Sequence, residues 1–160
     1  MPTDQFQVRK DQLATTRCVT LPDSALPPGH VCVRIDRVSY TANNISYATF
    51  GDAMQYWQFF PAAGGDADGW GCIPVWGFGT VVESTHADVR TGERLWGYWP
   101  MASHAVLQPD HASPRGFVDA GPRREALPVG YNLYLRSASG AFYTADSEAE
   151  HRVDFVLVEQ

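Results

Sequence analysis

Residues 30–40 read HVCVRIDRVSY and give the clearest strand pattern in the chain. Val31, Val33 and Ile35, with Arg37 as an optional fourth member, alternate with Cys32, Arg34, Asp36 and Val38. An apolar residue at every second position is typical of a strand with one buried face. Shorter runs at 77–84, 94–100 and 103–108 follow, and 11 prolines and 14 glycines punctuate the chain. This punctuation predicts a mainly β fold, either a barrel or a sandwich.

Weaker signals lie on both sides of these strands. They predict strands at 7–9, 16–20 and 152–159, helical turns within 43–60, helices at 127–136 and 146–151, and a loop from 109 to 128. We therefore assign residues 1–128 to one barrel domain and residues 129–160 to a C-terminal extension. The extension either leads to a further domain or supplies a strand that closes the barrel.

An aromatic stretch follows the best strand, with residues 38–61 reading VSYTANNISYATFGDAMQYWQFFP. Ligand pockets combine apolar walls with a few placed polar groups, as this stretch does at Asn43 and Asn44. Aromatic side chains also bury large areas in ordinary cores. Both interpretations stay open. The aromatic residues expected to supply pocket wall and core together are Trp57, Phe59, Phe60, Trp70, Trp76, Trp96, Tyr98 and Trp99.

Composition narrows the class of protein. The 160 residues carry a formal net charge of −6 without a Lys/Arg cluster, which argues against a nucleic-acid partner. No apolar run approaches the roughly 20 residues that a membrane-spanning helix needs, so no membrane role is predicted. Cys18, Cys32 and Cys72 show no CxxC spacing, and no signal sequence is recognised. We expect free thiols and a cytoplasmic location.

Metal binding and acid–base catalysis have little support in the sequence. Cys72 with His86 or His104 matches no zinc-ligand spacing, so no metal is predicted. Catalysis without a cofactor would need a general acid or base, and His104 has the ordinary pKa closest to neutrality among the candidates. Its strand context, SHAV, favours a packed or surface histidine instead.

Four segments resemble, in order and spacing, the GroES-like N-terminal domain of medium-chain dehydrogenase/reductases. They are HVCVRIDRVSYTANNIS (30–46), IPVWGFGTVVES (73–84), TGERLWGYWP (91–100) and ASHAVLQPD (102–110). NNISYATFGD, YWQFFP, GWGCIPVWGFG and GERLWGYWPM are similar to a poorly characterised bacterial branch related to zinc-independent quinone oxidoreductases. The resemblance implies a GroES-like, partly open β-barrel with short helices.

The resemblance also implies a site. In zinc-free members an asparagine and a tyrosine on the cleft loop approach the nicotinamide or substrate, which points to Asn43 or Asn44 with Tyr47 as catalytic residues. Alternatively, the two asparagines only shape the bend of the chain. The substrate-binding residues expected around them are Tyr40, Tyr56, Trp57, Phe60, Trp76 and Trp99.

The main departure from this family concerns the binding of the cofactor. NADPH is implied only if a Rossmann domain is supplied, because no glycine-rich turn joins a strand to a helix in this sequence. The first hypothesis is the catalytic-domain half of a zinc-independent NAD(P)H-dependent reductase-like protein, redox-inactive as this chain alone. The alternative is a stand-alone small-molecule-binding protein or a cofactor-independent enzyme of isomerase or cyclase type. Expected partners are a hydrophobic small molecule and either a second copy or a cofactor domain.

Overall fold

The computed structural model describes residues 2–63, 69–122, 124 and 128–137. Within them, α1 spans Ala42–Thr49, and 3-10 helices span Tyr56–Gln58 and Val129–Tyr131. The strands are β1 Thr3–Arg9, β2 Thr16–Leu21, β3 Val31–Ser39, β4 Trp70–Gly71, β5 Pro74–Ser84, β6 Arg94–Pro100, β7 His104–Leu107, β8 Pro109–Ser113, β9 Gly116–Asp119 and β10 Leu133–Arg136. No helix in these ranges is long and apolar enough to cross a membrane.

The strands form two sheets. A small sheet has the order β2-β1-β4, and a seven-stranded sheet has the order β7-β3-β5-β6-β10-β9-β8. All strand pairs in these two sheets are antiparallel. The larger sheet curls into a half-barrel, which confirms the predicted mainly β, partly open architecture.

β3 lies where the alternation predicts it, and it pairs with β5 on one side and β7 on the other. Val31 and Val33 are buried, whereas Arg37 is exposed and does not join the inward face. The pairing with β5 shifts register between Cys32 and Val33 and again between Ile35 and Arg37. Each shift bends the strand, since a bulge adds local twist to a sheet.

The main core lies on the inner face of the curled sheet. Its largest members include Val31, Val33, Val75, Val81, Leu95, Trp99, Leu107, Phe117 and Tyr134. β3 and β5 approach closely at Gly77, where a Cβ would lie 2.1 Å from the carbonyl oxygen of Arg37. The carbonyl of Gly77 accepts a hydrogen bond of 2.8 Å from the indole of Trp99. This bond satisfies the polar atom of a fully buried tryptophan.

The predicted loop from 109 to 128 is wrong in its first part, because β8 and β9 form there. Pro109 begins β8, which is an edge strand, and an edge or a first strand position tolerates a missing N–H. Gly116 begins β9 with a φ of 156°, directly against the carbonyl oxygen of Tyr134. A residue without Cβ is required at such a close approach.

The predicted helix at 127–136 is also wrong. Leu133–Arg136 form β10, which lies between β6 and β9 in the large sheet. The reason is packing: Tyr134 points into the main core, whereas Leu133 and Leu135 stay on the outer face. Residues 133–136 of the proposed extension thus belong to the sheet. The expected helix at 146–151 and strand at 152–159 lie outside the described residues.

Candidate ligand-binding site

Helix α1 positions the predicted asparagines, and its N-terminus is a capping box. The hydroxyl of Thr41 accepts the backbone N–H of Asn43, and the side-chain oxygen of Asn44 accepts the backbone N–H of Thr41 at 2.7 Å. The Asn44 amide also donates to the carbonyl oxygen of Pro74 at 3.0 Å. Asn44 is buried and joins α1 to the start of β5, whereas Asn43 is half-buried. The polar atoms of Asn44 are therefore committed to the fold.

Aromatic rings from five parts of the chain meet beside α1 and form what we call the aromatic cluster. Its members are Tyr47, Tyr56, Phe59, Phe60, Trp76, Trp96, Tyr98 and Tyr131. Tyr98 lies near the middle: its ring centroid is 4.8 Å from Trp76, 4.9 Å from Tyr131 and 5.2 Å from Phe59. The cluster includes the predicted Tyr47, Tyr56, Phe60 and Trp76, so the structure brings these four together.

Two indoles form one wall of the cluster. Trp76 and Trp96 stack with centroids 4.8 Å apart and planes inclined by 15°. They lie on neighbouring strands, β5 and β6, where Trp76 pairs with Tyr98 and Phe78 pairs with Trp96. Side chains two residues apart on a strand leave the same face, so Trp96 and Tyr98 both contribute to this wall. Both tryptophans are half-buried.

The hydroxyl groups of the cluster have unequal surroundings. The Tyr56 and Tyr131 hydroxyls lie 3.4 Å apart and can share a hydrogen bond. The Tyr98 side chain is 0% exposed, and its hydroxyl has no hydrogen-bond partner among the described residues. The indole N–H of Trp96 is likewise buried and unpartnered in this part of the chain. Buried polar atoms in native proteins are nearly always paired, so these two donors mark the cluster as unusual.

Burial raises the pKa of two phenols in the aromatic cluster. It raises the pKa of Tyr98 far above its ordinary value, and the neighbouring phenols of Tyr47, Tyr131 and Tyr56 raise it further. Burial also raises the pKa of Tyr131, with a smaller contribution from its hydrogen bond to Tyr56. A tyrosine in this state donates a hydrogen bond at any physiological pH.

Three predicted site residues lie elsewhere. Trp57 is 3% exposed and packs with Val8, Ala48 and Ile73 in a separate small core. Trp99 belongs to the main core, where its ring lies 4.7 Å from that of Tyr134. Tyr40 is 56% exposed just after β3. The structure does not bring these three side chains into the aromatic cluster.

Sequence reasoning named Trp96 and Tyr98 among the rings shared by pocket wall and core without listing them as binding residues, and it did not name Tyr131 at all. The strand RLWGYWP did carry a signal, because Trp96 and Tyr98 are alternate residues and share a face. Tyr131 had none, since it lies in a segment predicted as helix, away from the recognised motifs. Its position follows from β10, which returns the chain to β6 directly after the second 3-10 helix.

The comparison with known families covers this region. The model of a family described as "Protein of unknown function (DUF2855)" matches residues 38–159. The chain belongs to the DUF2855 family. No curated protein matches it. Every member of the aromatic cluster falls inside the segment that defines DUF2855, whereas β1 and β2 precede that segment. The resemblance to GroES-like reductase domains stays a prediction for this DUF2855 chain.

The described residues of this DUF2855 protein do not fit a dinucleotide. Gly77 and Gly79 lie inside β5 against the backbone of β3, and Gly71 lies against the ring of Trp57. A pyrophosphate cradle needs glycines between a strand and a helix N-terminus, with the backbone N–H groups free to bind phosphate. No such turn occurs in the described part of the chain.

Metal ligands and a titratable histidine are the remaining candidates for a reactive site in the described residues. No group of three or more His, Cys, Asp or Glu side chains in the described ranges is placed to hold a metal ion. His104 lies on β7 with Nδ1 3.0 Å from the Ser103 hydroxyl, and its Nε2 is buried without a partner in these ranges. Burial lowers the pKa of His104, which favours the neutral ring. It lies half-buried on β7, outside the aromatic cluster.

A groove borders the aromatic cluster. This groove has a volume of about 420 Å³, and Phe59 and Phe60 form one of its walls. Arg124 lies across that wall, with its guanidinium carbon 4.4 Å from the centroid of Phe60. Its charge is balanced by Asp119 at 3.1 Å, and both side chains are buried. The groove thus presents a neutral, mostly apolar surface.

Proposed function

We propose that this protein binds a small, uncharged and largely apolar molecule at the aromatic cluster, through an acceptor atom that takes a hydrogen bond from Tyr98. This proposal rests on the buried Tyr98 hydroxyl, which has no partner in the described residues. Leaving such a group unpaired disfavours the folded state by about 1–3 kcal/mol, whereas a phenylalanine of the same shape avoids this cost. A ligand acceptor supplies the missing partner.

The charge of the site supports an uncharged ligand. The eight cluster side chains are phenyl rings, indoles and phenols, and burial raises the pKa of the Tyr98 and Tyr131 phenols further above neutrality. The Arg124 guanidinium, which lies over the Phe60 ring, is already paired with Asp119. An ion brought into such surroundings would lose its hydration without gaining a counter-charge.

A second candidate is the substrate side of a zinc-independent NAD(P)H-dependent reductase-like protein, as the family resemblance implies. One observation favours it: neutral phenols gather at Tyr98, and a protonated hydroxyl in a water-poor site stabilises a carbonyl oxygen as negative charge develops on it. The described residues would supply binding and this donor. The nicotinamide would have to be held by residues outside them.

The test uses quinoline and naphthalene, two flat molecules of the same shape of which only quinoline has an acceptor nitrogen. Calorimetry on the full chain should show that quinoline binds about fivefold more tightly, the usual effect of one neutral hydrogen bond. In Tyr98→Phe the two affinities should become equal, whereas Tyr40→Phe, which alters an exposed tyrosine, should keep the difference. Equal binding of both molecules by the unaltered chain would overturn the proposal.

A further inference from the structure

We infer that the ligand is a flat, conjugated ring system with two hydrogen-bond acceptors, one for Tyr98 and one for Trp96, and that it takes the place of the Tyr131 ring. This inference rests on the proposed function and names the class of molecule. The Tyr98 hydroxyl and the Trp96 indole N–H are both buried donors without a partner in the described residues. One such donor calls for one acceptor atom on the ligand, and two donors on the same wall call for two acceptors.

The two donors belong to one surface. Trp96 and Tyr98 are alternate residues of β6, and each ring lies 4.8 Å from the ring of Trp76. Both donor atoms are buried, and neither has a partner within the described residues. An indole nitrogen can only donate, so its partner must be an acceptor. The only polar side-chain atoms that the cluster itself offers are these two donors and the phenols of Tyr47, Tyr56 and Tyr131.

The shape of the ligand follows from the rings around the donors. Trp76 stacks on Trp96, and the Tyr131 ring lies beside Trp76 with a centroid separation of 5.9 Å and an inclination of 32°. Tyr131 also lies beside Tyr98, at 4.9 Å. Aromatic faces prefer flat, offset partners at these distances. A conjugated ring system is therefore the complement of this wall.

Tyr131 is the ring of the aromatic cluster that a ligand can displace. It lies in a three-residue 3-10 helix without a side-chain cap, next to Val129, which is 69% exposed. Two backbone hydrogen bonds of 3.1 and 3.0 Å, to Pro128 and Val129, hold this turn. The following residue is fixed more firmly, because Asn132 exchanges hydrogen bonds with Arg124 and its carbonyl accepts the N–H of Asp119. Exchange of the Tyr131 ring for a ligand ring thus leaves β10 in place.

The experiment extends the matched series to quinoxaline, which has two ring nitrogens where quinoline has one. On the full chain, calorimetry should rank quinoxaline about fivefold above quinoline, and quinoline above naphthalene. Trp96→Phe keeps a stacking ring but removes the donor. It should therefore abolish the preference for quinoxaline over quinoline and keep the preference for quinoline over naphthalene. Tyr131→Ala should strengthen binding of all three molecules several-fold, because the competing ring is gone.

The outcomes separate the two proposals. If quinoxaline and quinoline bind equally while Tyr98→Phe still weakens quinoline, the two-acceptor inference is overturned and the proposed function stands. If neither nitrogen compound is distinguished from naphthalene, both are overturned. Weaker binding in Tyr131→Ala would show that Tyr131 contacts the ligand and is not displaced by it, which overturns that part of the inference. A far-ultraviolet circular dichroism spectrum identical to that of the unaltered chain is required of each variant.

Discussion

The Tyr134 hydroxyl donates a hydrogen bond of 2.6 Å to the backbone carbonyl oxygen of Tyr98, whereas the Tyr98 hydroxyl has no partner in the described residues. Both side chains are fully buried. Tyr134 is further supported by Arg124, which lies 3.5 Å from its hydroxyl. The two tyrosines thus carry the same hydroxyl group, which is hydrogen-bonded within the fold at Tyr134 and unpaired among the described residues at Tyr98.

This contrast predicts opposite effects of one substitution. Tyr98→Phe should leave the free energy of unfolding unchanged or raise it by about 1 kcal/mol, because it removes an unsatisfied buried hydroxyl. Tyr134→Phe should lower it by about 1–2 kcal/mol, because it leaves the Tyr98 carbonyl and Arg124 without this partner. Urea unfolding of the two variants measures both values. A clear loss of stability in Tyr98→Phe would mean that its hydroxyl has a structural partner.

The two adjacent asparagines should also differ. Asn44→Ala should lower the free energy of unfolding by about 1–3 kcal/mol, because Thr41 loses its capping acceptor and the buried Pro74 carbonyl loses its donor. Asn43→Ala, at a half-buried position, should change it by about 0.5 kcal/mol or less. Thermal unfolding compares the pair directly. Equal stability of the two variants would contradict a structural role for Asn44.

The small core around Trp57 should be intolerant of added volume. A Cβ at Gly71 would lie 2.4 Å from the Trp57 ring, so Gly71→Ala should destabilise the protein by about 1–3 kcal/mol. Gly130→Ala is the control, since a Cβ there has no neighbour within 4 Å. Urea midpoints give the comparison. An unchanged midpoint in Gly71→Ala would show that the Trp57 ring can move aside.

Alkaline pH should destabilise the fold through Cys72. Burial raises the pKa of this thiol from its ordinary 9.0 to about 12. Between these values the unfolded chain has lost the proton that the folded chain retains, so stability falls as pH rises, by up to about 1.4 kcal/mol per pH unit. Stability measured by urea unfolding at pH 8, 9 and 10 should therefore fall more steeply in the unaltered chain than in Cys72→Ala. Parallel curves would exclude this contribution.

NADPH binding tests whether this chain alone could carry out a reductase reaction. The described residues offer no phosphate cradle, so calorimetry with NADPH on the 160-residue chain should show no saturable binding at micromolar concentrations. The mass of the particle, measured alongside, reports whether copies associate. Saturable binding would mean that another part of the chain, or a second copy, completes a cofactor site.

The sequence predicted the central strands from local patterns. Alternation placed β3, and turn residues on either side marked the short runs that became β5 and β6; each of these strands buries residues in the main core. Local patterns failed at β10, where LYLR is too short for a period to be measured, and at β8, where Pro109 and Ser113 are typical of turns. In both cases pairing with a neighbouring strand decides the structure, and that information is not local.

The candidate site was predicted only in part, because the packing of its rings also depends on non-local contacts. Tyr56 and Trp57 are neighbours in the sequence, yet they pack in different clusters. The 3-10 helix that separates their directions follows Gln55, which has a left-handed φ of 61°. This conformation is uncommon for a residue other than glycine, and no sequence pattern announced it. Composition could therefore identify an aromatic region without saying which rings meet.

The position of β10 has a consequence for how the protein is made. β8 and β9 are synthesised before β10 but join the sheet only through it, because β10 lies between β9 and β6. Until residues 133–136 emerge from the ribosome, the backbone edge of β6 that pairs with β10 has no neighbour among the described strands, and unpaired edges invite pairing with other chains. The same late segment brings Tyr131. In a nascent chain, this segment thus completes the aromatic cluster and pairs the free edge of β6 at the same time.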